Sequence, residues 1–176
     1  MIRGKKIILR NKNLTDGRDD FAWRTDLELA RLDAAPPPNI TFKEYLAGYE
    51  SELLYPPPIR HRFAIDTPEG KHIGNCTYYN INETRGDAEL GIMIGNRDFW
   101  NQGYGTDAVN TLIEYFFRNT RLNRIYLKTL KTNVRAQRCF QKCGFTSCGK
   151  MERDGFNFIL MELPRARWQA RQEEQG

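Results

Sequence analysis

The chain has 176 residues, 40% of them hydrophobic and 28% charged, a balance typical of a soluble globular domain large enough to bury an ordinary core. Its net charge of +5 is spread along the chain, which favours anionic ligands but lacks the clustered basic stripe that nucleic-acid binding usually needs. No apolar run approaches the roughly 20 residues of a membrane helix. We therefore expect neither a membrane span nor a nucleic-acid partner.

The N-terminus and the cysteines both favour the cytosol. The first residues, Met-Ile-Arg-Gly-Lys-Lys, lack the apolar segment of a signal peptide. The four cysteines are then expected as reduced thiols. Cys139 and Cys143 would share a helix face, but no second pair of ligands accompanies them, so core packing is favoured over a metal site. We predict a cytoplasmic protein with no metal.

The first third of the chain is predicted to be one strand followed by helices. Residues 5–10 have the composition of a strand. A helix begins near Thr15, breaks, and resumes before Asp33, after which three prolines end it. A further helix is predicted over 41–53, because Thr41 is followed three residues later by Glu44 in the capping-box pattern. These helices form either a plain cover or one wall of a pocket.

The rest of the chain alternates between strands and helices. Strands are predicted over six segments, 61–66, 71–80, 87–94, 124–130, 145–152 and 156–163. A helix is predicted over 133–143, stopped by Gly144. This order predicts an α/β (α+β) fold, with one domain over 1–163 and a polar tail over 164–176 that is partly helical or frayed.

The chain is organised around residues 87–107. In the first half of this segment, the apolar residues at positions 90, 92 and 94 follow the two-residue period of a strand. Glu89 and Gly91 therefore share the other face. Farther on, apolar residues recur at helical spacing from Ala108 to Phe117, which predicts an amphipathic helix.

Gly103 and Gly105 lie where this strand turns into the helix. The first turn of a helix has N–H groups without intrahelical partners, and glycine lets an anion such as a diphosphate approach them. The loop is not a P-loop, because no Gly-Lys-Ser/Thr follows, and it lacks the later acid of a dinucleotide fingerprint. Plain turn chemistry is the alternative interpretation.

Three motifs taken together are more specific. They are Glu-Leu-Gly-Ile-Met-Ile-Gly from Glu89, Trp-Asn-Gln-Gly-Tyr-Gly-Thr from Trp100, and Asn133 followed by Phe140 and Gly144-Phe145. The chain resembles the GNAT family of N-acetyltransferases, and within it the branch that includes ribosomal-protein-alanine and spermidine N-acetyltransferases. The resemblance implies a mixed, mostly antiparallel central sheet of about six to seven strands with helices on both faces. It also implies direct transfer of an acetyl group from acetyl-CoA to a primary amine in a ternary complex.

The resemblance further implies how acetyl-CoA, the co-substrate, is held. The amides of residues 102–106 would bind its diphosphate, and the strand residues 92–94 would pair with its pantetheine arm. Asn133 would reach the cofactor, although asparagine there is also an ordinary helix N-cap. The implied cofactor-binding residues are Ile92, Met93, Ile94, Trp100, Asn101, Gln102, Gly103, Tyr104, Gly105, Thr106, Asn133 and Phe140.

This sequence departs from the family pattern at several of these positions. Trp100 differs from the general motif but matches the branch. Asn101 and Gln102 stand where glycine and a basic residue are common, and the lost positive charge is expected to weaken cofactor affinity. Many relatives have a tyrosine at the position of Phe140, which donates a proton to the leaving thiolate, and phenylalanine has no proton to give. Either the thiolate leaves unaided, another group serves, or turnover is slow.

The attacking amine needs a proton acceptor, since amines are protonated near neutral pH and only the neutral form attacks a thioester. Glu89 is the predicted catalytic residue, because its strand position lies a few residues from the implied pantetheine site and it could act directly or through water. The alternative is a solvent-facing strand carboxylate. Tyr78 and Tyr79 are assigned no role, because tyrosines in strands usually serve packing.

Three functions remain at this stage: an N-acetyltransferase, which leads; an acyl-CoA-binding regulatory protein with little or no turnover; and a basic nucleic-acid-binding module, which the absence of a basic stripe disfavours. The amine acceptor is left open between small molecules and protein N-termini. The sequence is silent on the oligomeric state, with a homodimer among the options.

Overall fold

The computed structural model describes residues 1–176 and contains one eight-stranded sheet. The strands are β1 (Ile2–Arg3), β2 (Ile8–Asn11), β3 (Arg60–Asp66), β4 (His72–Asn82), β5 (Asp87–Ile94), β6 (Arg124–Leu130), β7 (Thr146–Arg153) and β8 (Phe156–Pro164). Their order is β1-β2-β3-β4-β5-β6-β8-β7, and every neighbouring pair is antiparallel except β5 and β6. The predicted mixed, mostly antiparallel sheet is confirmed, with one short strand more than expected.

Helices cover both faces of this sheet. They are α1 (Asp16–Thr25), α2 (Leu27–Leu32), α3 (Phe42–Leu54), α4 (Tyr104–Asn119), α5 (Val134–Lys142) and α6 (Arg165–Gln175). On one face, Tyr78 of β4 packs edge-on against Phe116 of α4, with ring centroids 5.2 Å apart. On the other face, Asn75 of β4 donates a hydrogen bond of 2.6 Å to Asp20 of α1. Because side chains alternate along a strand, α1 and α4 lie on opposite sides.

The main core lies between α4 and the sheet. Val109, Leu112 and Phe116 of α4 have no solvent exposure, and they belong to a cluster of 23 buried residues. Burying each such side chain contributes about 1.5–3 kcal/mol, so this face of α4 supplies much of the stability that holds the helix in place. The position of its N-terminus against β5 follows from that packing.

The N-terminal segment differs from the predicted strand over 5–10. β2 begins at Ile8, and the preceding amides of Lys5, Lys6 and Ile7 donate to the carboxylate of Asp107, at 3.1, 2.7 and 3.1 Å. These backbone groups are therefore satisfied by a side chain about 100 residues away and not by a strand partner. Local periodicity carries no sign of such a contact.

The C-terminal segment, expected as a partly helical polar tail, forms α6 against α4. Arg165 donates hydrogen bonds to the carbonyls of Phe117, Thr120 and Leu122, at 2.7, 2.9 and 2.7 Å, near the end of α4. The last carbonyls of a helix lack intrahelical partners, and a cation there is favourable. Trp168 packs on the ring of Phe117 at 5.1 Å. None of the helices has the length and apolar character needed to cross a membrane.

Candidate active site

β5 and β6 are parallel neighbours that stay together over only part of their length. Residues 87–89 pair with residues 124–126, and beyond them the two strands diverge. On its other side, β5 remains paired with β4 as far as Ile94, which lies opposite Gly74. The edge of residues 90–94 that faces β6 thus has no strand to pair with. An extended ligand with amide groups fits such an edge.

The divergence opens a cavity of about 580 Å³ that runs toward the start of α4. Ten of the twelve residues predicted to hold the cofactor line it, and Gln102 and Tyr104 do not. The ten are Ile92, Met93, Ile94, Trp100, Asn101, Gly103, Gly105, Thr106, Asn133 and Phe140. The opposite wall includes Lys128 of β6 and Arg135 and Arg138 of α5, which sequence reasoning missed. We call this space the coenzyme cavity.

Left-handed backbone at two positions shapes the loop that leads into α4. Gly103 precedes the first residue of the helix with φ 85°, and Asn101 has φ 58°. Glycine adopts this conformation freely, and asparagine is among the residues that tolerate it best. Asn101 is therefore a conservative replacement for a glycine. The loop thus places the N–H groups of the first turn of α4, which lack intrahelical partners, and the positive end of the α4 dipole at the coenzyme cavity.

Trp100 and Asn133 fix the ends of the segments that border this loop. The indole Nε1 of Trp100 donates to the carbonyl of Ile94 at 2.7 Å, and the guanidinium of Arg135 stacks 3.6 Å from the ring centroid. Asn133 is the N-cap of α5, because its side chain accepts a hydrogen bond from the amide of Ala136 at 3.3 Å. Asn133 thus has the structural role that its sequence position allows, and it also faces the coenzyme cavity.

Glu89 lies at the point where β5 and β6 begin to diverge, but beneath the cavity surface. It is 3% exposed and lines neither of the cavities described here. Its Oε2 accepts from Asn80 at 3.1 Å, and its Oε1 lies 2.9 Å from Nζ of Lys128. The Lys128 contact is an ion pair that lacks hydrogen-bond alignment, so Oε1 keeps its capacity to accept a directed hydrogen bond.

A second cavity, of about 550 Å³, lies on the α1 and α3 side of the sheet. It is lined by Asp20, Tyr45 and Tyr49 from these helices and by residues of β4 and β5. We call it the acceptor cavity. It shares five lining residues with the coenzyme cavity, namely Asp33, Tyr79, Gly91, Ile92 and Met93. The two spaces therefore meet at the central residues of β5.

Gly91 and Tyr79 form the junction between the cavities. A Cβ at Gly91 would lie 3.1 Å from Cγ2 of Thr77 and 3.4 Å from Cε1 of Tyr79, so both β4 side chains pack closely over this glycine. Tyr79 is directly opposite Glu89 in the β4–β5 register, on the same face. The pKa of Tyr79 is raised mainly by burial and further by the nearby charge of Glu89, so the phenol stays protonated. Pairing of the predicted strands 71–80 and 87–94 was the only sequence signal that could have placed Tyr79 here.

Asp33 also borders both cavities and was missed by sequence reasoning, which treated it only as a helix end. Asp33 is exposed and lines the acceptor cavity, and the surrounding protein raises the pKa of its carboxylate by desolvation. Two other acids of the acceptor cavity, Asp20 and Glu52, already have basic partners. Asp20 lies 2.8 Å from Nζ of Lys12, and Glu52 pairs with Arg62.

Cys139 and Phe140 occupy the α5 wall. Cys139 Sγ accepts from the hydroxyl of Thr106 at 3.5 Å. Its hydrogen bond with Cys143 lowers the pKa of Cys139 and raises that of Cys143. Phe140 is 6% exposed and packs edge-on against Phe145 at 5.9 Å, so its ring is held by the core. All four cysteines are free thiols, and no group of three or more potential metal ligands occurs.

The chain belongs to the GNAT family, because the acetyltransferase (GNAT) domain model matches residues 6–146. This confirms the resemblance drawn from the motifs. Among curated proteins, an uncharacterized N-acetyltransferase p20 of Bacillus licheniformis is 33% identical over 90 residues, covering 51% of this chain and 50% of the relative. Spermidine N(1)-acetyltransferase of Vibrio cholerae is 26% identical over 95 residues, covering 54% of each chain.

The fold comparison extends over most of the chain. A crystal structure of spermidine N-acetyltransferase from Vibrio cholerae in complex with CoA and spermine superposes with a TM-score of 0.83 and covers 93% of this chain and 98% of that one. The sequence identity in that alignment is 19%, so the likeness concerns the fold. The sequence matches span about half the length of the curated relatives.

Proposed function

We propose that this protein is an acetyl-CoA-dependent N-acetyltransferase that acts on a primary amine in a ternary complex. The observation that carries the proposal is the meeting of two cavities at residues 91–93 of β5, with the start of α4 at the far end of one of them. Acetyl-CoA supplies the activated acetyl thioester. An amine in the acceptor cavity then faces a thioester in the coenzyme cavity without a covalent enzyme intermediate.

The coenzyme cavity suits the elongated, anionic coenzyme in two ways. The free edge of Ile92, Met93 and Ile94 offers backbone groups to the amides of the pantetheine arm, as a missing strand would. The amides of residues 102–106, at the start of α4, suit the diphosphate. Asn133 contributes a polar side chain beside the same cavity. Gln102 and Tyr104 take part only through their backbone.

The acceptor is proposed to be a small cationic amine. Asp33 and Glu44 line the acceptor cavity together with Tyr45, a combination that attracts an ammonium group through charge and through the aromatic face. A polyamine is consistent with the Vibrio cholerae relative, whose name is that of a spermidine acetyltransferase. A protein N-terminal amine is the other acceptor, and it requires its first residues to extend into this cavity.

Glu89 is proposed to take the proton that the amine loses. Since the carboxylate is buried, the transfer runs through a water molecule or the hydroxyl of Tyr79, the residue opposite Glu89 that borders both cavities. Nζ of Lys128 lies 2.9 Å from Oε1 of Glu89. Phe140 has no proton for the departing thiolate, so that proton comes from elsewhere.

A screen of amines that follows free coenzyme A release tests the proposal. It includes polyamines, aminoglycosides, amino acids and short peptides with free N-termini, and calorimetry measures the Kd of acetyl-CoA in parallel. Turnover with at least one amine is expected. Tight acetyl-CoA binding without turnover in the whole set would instead indicate a binding protein, and no binding at all would overturn the cofactor assignment. The four free thiols support the cytosolic location that we propose.

A further inference from the structure

Lys6 lies against the loop that leads into α4. Its Nζ donates a hydrogen bond of 2.8 Å to the carbonyl of Gln102, 96 residues along the chain. The same nitrogen is 3.8 Å from the position that a Cβ at Gly103 would occupy. A lysine charge is therefore placed beside the residues proposed to bind the diphosphate.

The loop itself lacks a basic side chain. Gln102 stands where a basic residue is common in the family, and its side-chain amide turns away to donate to the carbonyl of Asp98. Asp107, in the first turn of α4, adds a negative charge near the proposed anion site. The loop and the first turn of α4 therefore carry no basic side chain of their own, and Arg135 and Arg138 of the cavity come from α5 on its opposite wall.

Several contacts set the position of Lys6. The amides of residues 5–7 are tied to the carboxylate of Asp107, with the Lys6 amide at 2.7 Å. Its ammonium lies 5.4 Å from the ring centroid of Tyr104, within the range of a cation–π contact. The backbone at Lys6 is thus anchored to α4, the helix whose N-terminus lies beside the Lys6 ammonium.

We propose that Lys6 supplies the positive charge missing from the loop and binds the diphosphate of the coenzyme together with the amides of residues 102–106. The inference rests on the proposed function of the coenzyme cavity. It locates a binding residue in the N-terminal segment, which neither the loop motif nor the family resemblance identified.

The test compares Lys6→Gln with Lys5→Gln by calorimetry. Lys5 is the adjacent residue, is also exposed, and is bonded to Asp107 only through its backbone amide, so its variant controls for the lost net charge. Three ligands are titrated: coenzyme A, 3′-dephospho-coenzyme A, which keeps the diphosphate, and pantetheine, which lacks it.

For Lys6→Gln we expect the Kd of coenzyme A and of 3′-dephospho-coenzyme A to rise about fivefold, as for a partly exposed ion pair. The Kd of pantetheine and all values for Lys5→Gln should match the parent. Added salt should shrink the difference, because it screens an exposed charge. Lys6→Arg should bind nearly as well as the parent, and thermal unfolding checks that each variant is folded.

Other results would overturn the inference. If Lys6→Gln and Lys5→Gln weaken coenzyme binding equally, Lys6 contributes only through the net charge of the protein. Weakening by Lys6→Gln that is insensitive to salt and not restored by Lys6→Arg would indicate that Lys6 only shapes the loop. An effect confined to coenzyme A would place Lys6 at the 3′-phosphate. A parent that binds neither coenzyme form would remove the proposed function as well.

Discussion

The two cavities of this protein offer different chemical groups to the ligands proposed for them. The coenzyme cavity offers mainly backbone: the free edge of β5 and the amides at the start of α4. The acceptor cavity offers side chains from separate elements, including Asp20 of α1, Tyr49 of α3 and Tyr79 of β4. Backbone recognition requires a particular local conformation, whereas side-chain recognition requires distant residues to converge. The first leaves a compact motif in the sequence, and the second does not.

The same difference appears in what each cavity can tolerate. The shape of the coenzyme cavity depends on where β6 leaves β5 and on a left-handed backbone at Gly103. The charge of the acceptor cavity depends on single side chains such as Asp33, which borders both spaces. We expect substitutions at the junction to affect turnover, those at the loop to affect coenzyme binding, and those at Asp33 to affect the amine.

The largest effect is expected for Glu89→Gln, at the residue directly opposite Tyr79 of the junction. Loss of the proton acceptor should lower kcat about a hundredfold or more while the Kd of acetyl-CoA stays close to that of the parent. Lys128→Gln is the matched control, because it breaks the same ion pair but keeps the carboxylate. If both variants lose the same activity, the ion pair matters for structure and the base lies elsewhere.

Next in size is the effect of Gly103→Val on the loop. A β-branched side chain at φ 85° strains the backbone and displaces the amides. Loss of one charge-assisted hydrogen bond, about 1.5–3 kcal/mol, should then raise the Kd of acetyl-CoA about ten- to hundredfold. Gly70→Val controls for the strain, since Gly70 has φ 87° and open space around it, and it lines neither cavity. Calorimetry measures the Kd of acetyl-CoA for both variants. If a folded Gly103→Val variant binds acetyl-CoA as tightly as the parent, that result argues against diphosphate binding at this loop.

A smaller change, of about tenfold, is expected for Phe140→Tyr, and here kcat should rise. The ring lines the coenzyme cavity, so a hydroxyl gives the departing thiolate a nearby proton donor, worth about 1.4 kcal/mol if its alignment is partial. Single-turnover rates with saturating acetyl-CoA measure the step, and the unchanged Kd of acetyl-CoA serves as the reference. The absence of any increase would mean that another donor already protonates the thiolate.

The smallest effect is expected for Asp33→Asn, which should raise the Kd of a cationic acceptor about fivefold and leave the Kd of acetyl-CoA unchanged. Desolvation by the surrounding protein raises the pKa of Asp33, so its negative charge is present above that pKa and is lost as the pH falls through it. Acceptor binding by the parent should therefore weaken at a pH above the ordinary aspartate range near about 3.9. In Asp33→Asn, acceptor binding should not weaken over this pH range.

Calorimetric titration of the amine across pH measures this dependence. Asp154→Asn, in the exposed turn between β7 and β8, is the control and should behave like the parent. A pH profile that is identical in the parent and Asp33→Asn would place the attraction for the amine on other groups.

The sequence alone determined the strand, loop and helix of residues 87–119, and with them the family, because their signals are local. Alternation places Glu89 and Gly91 on one face, and the spacing of α4 sets its buried side. The motif also placed ten of the predicted residues around one cavity. The fold class followed from the order of the elements and the family resemblance.

Tertiary structure decided what depends on contacts between distant segments. Glu89 is buried beside Lys128 where the pairing of β5 with β6 ends, and Asp33 and Tyr79 both border the two cavities. The attachment of residues 5–7 to Asp107 replaces part of the predicted first strand and carries Lys6 to the loop. Each of these placements joins residues far apart in the chain, so no periodicity or motif within a local window could reveal it.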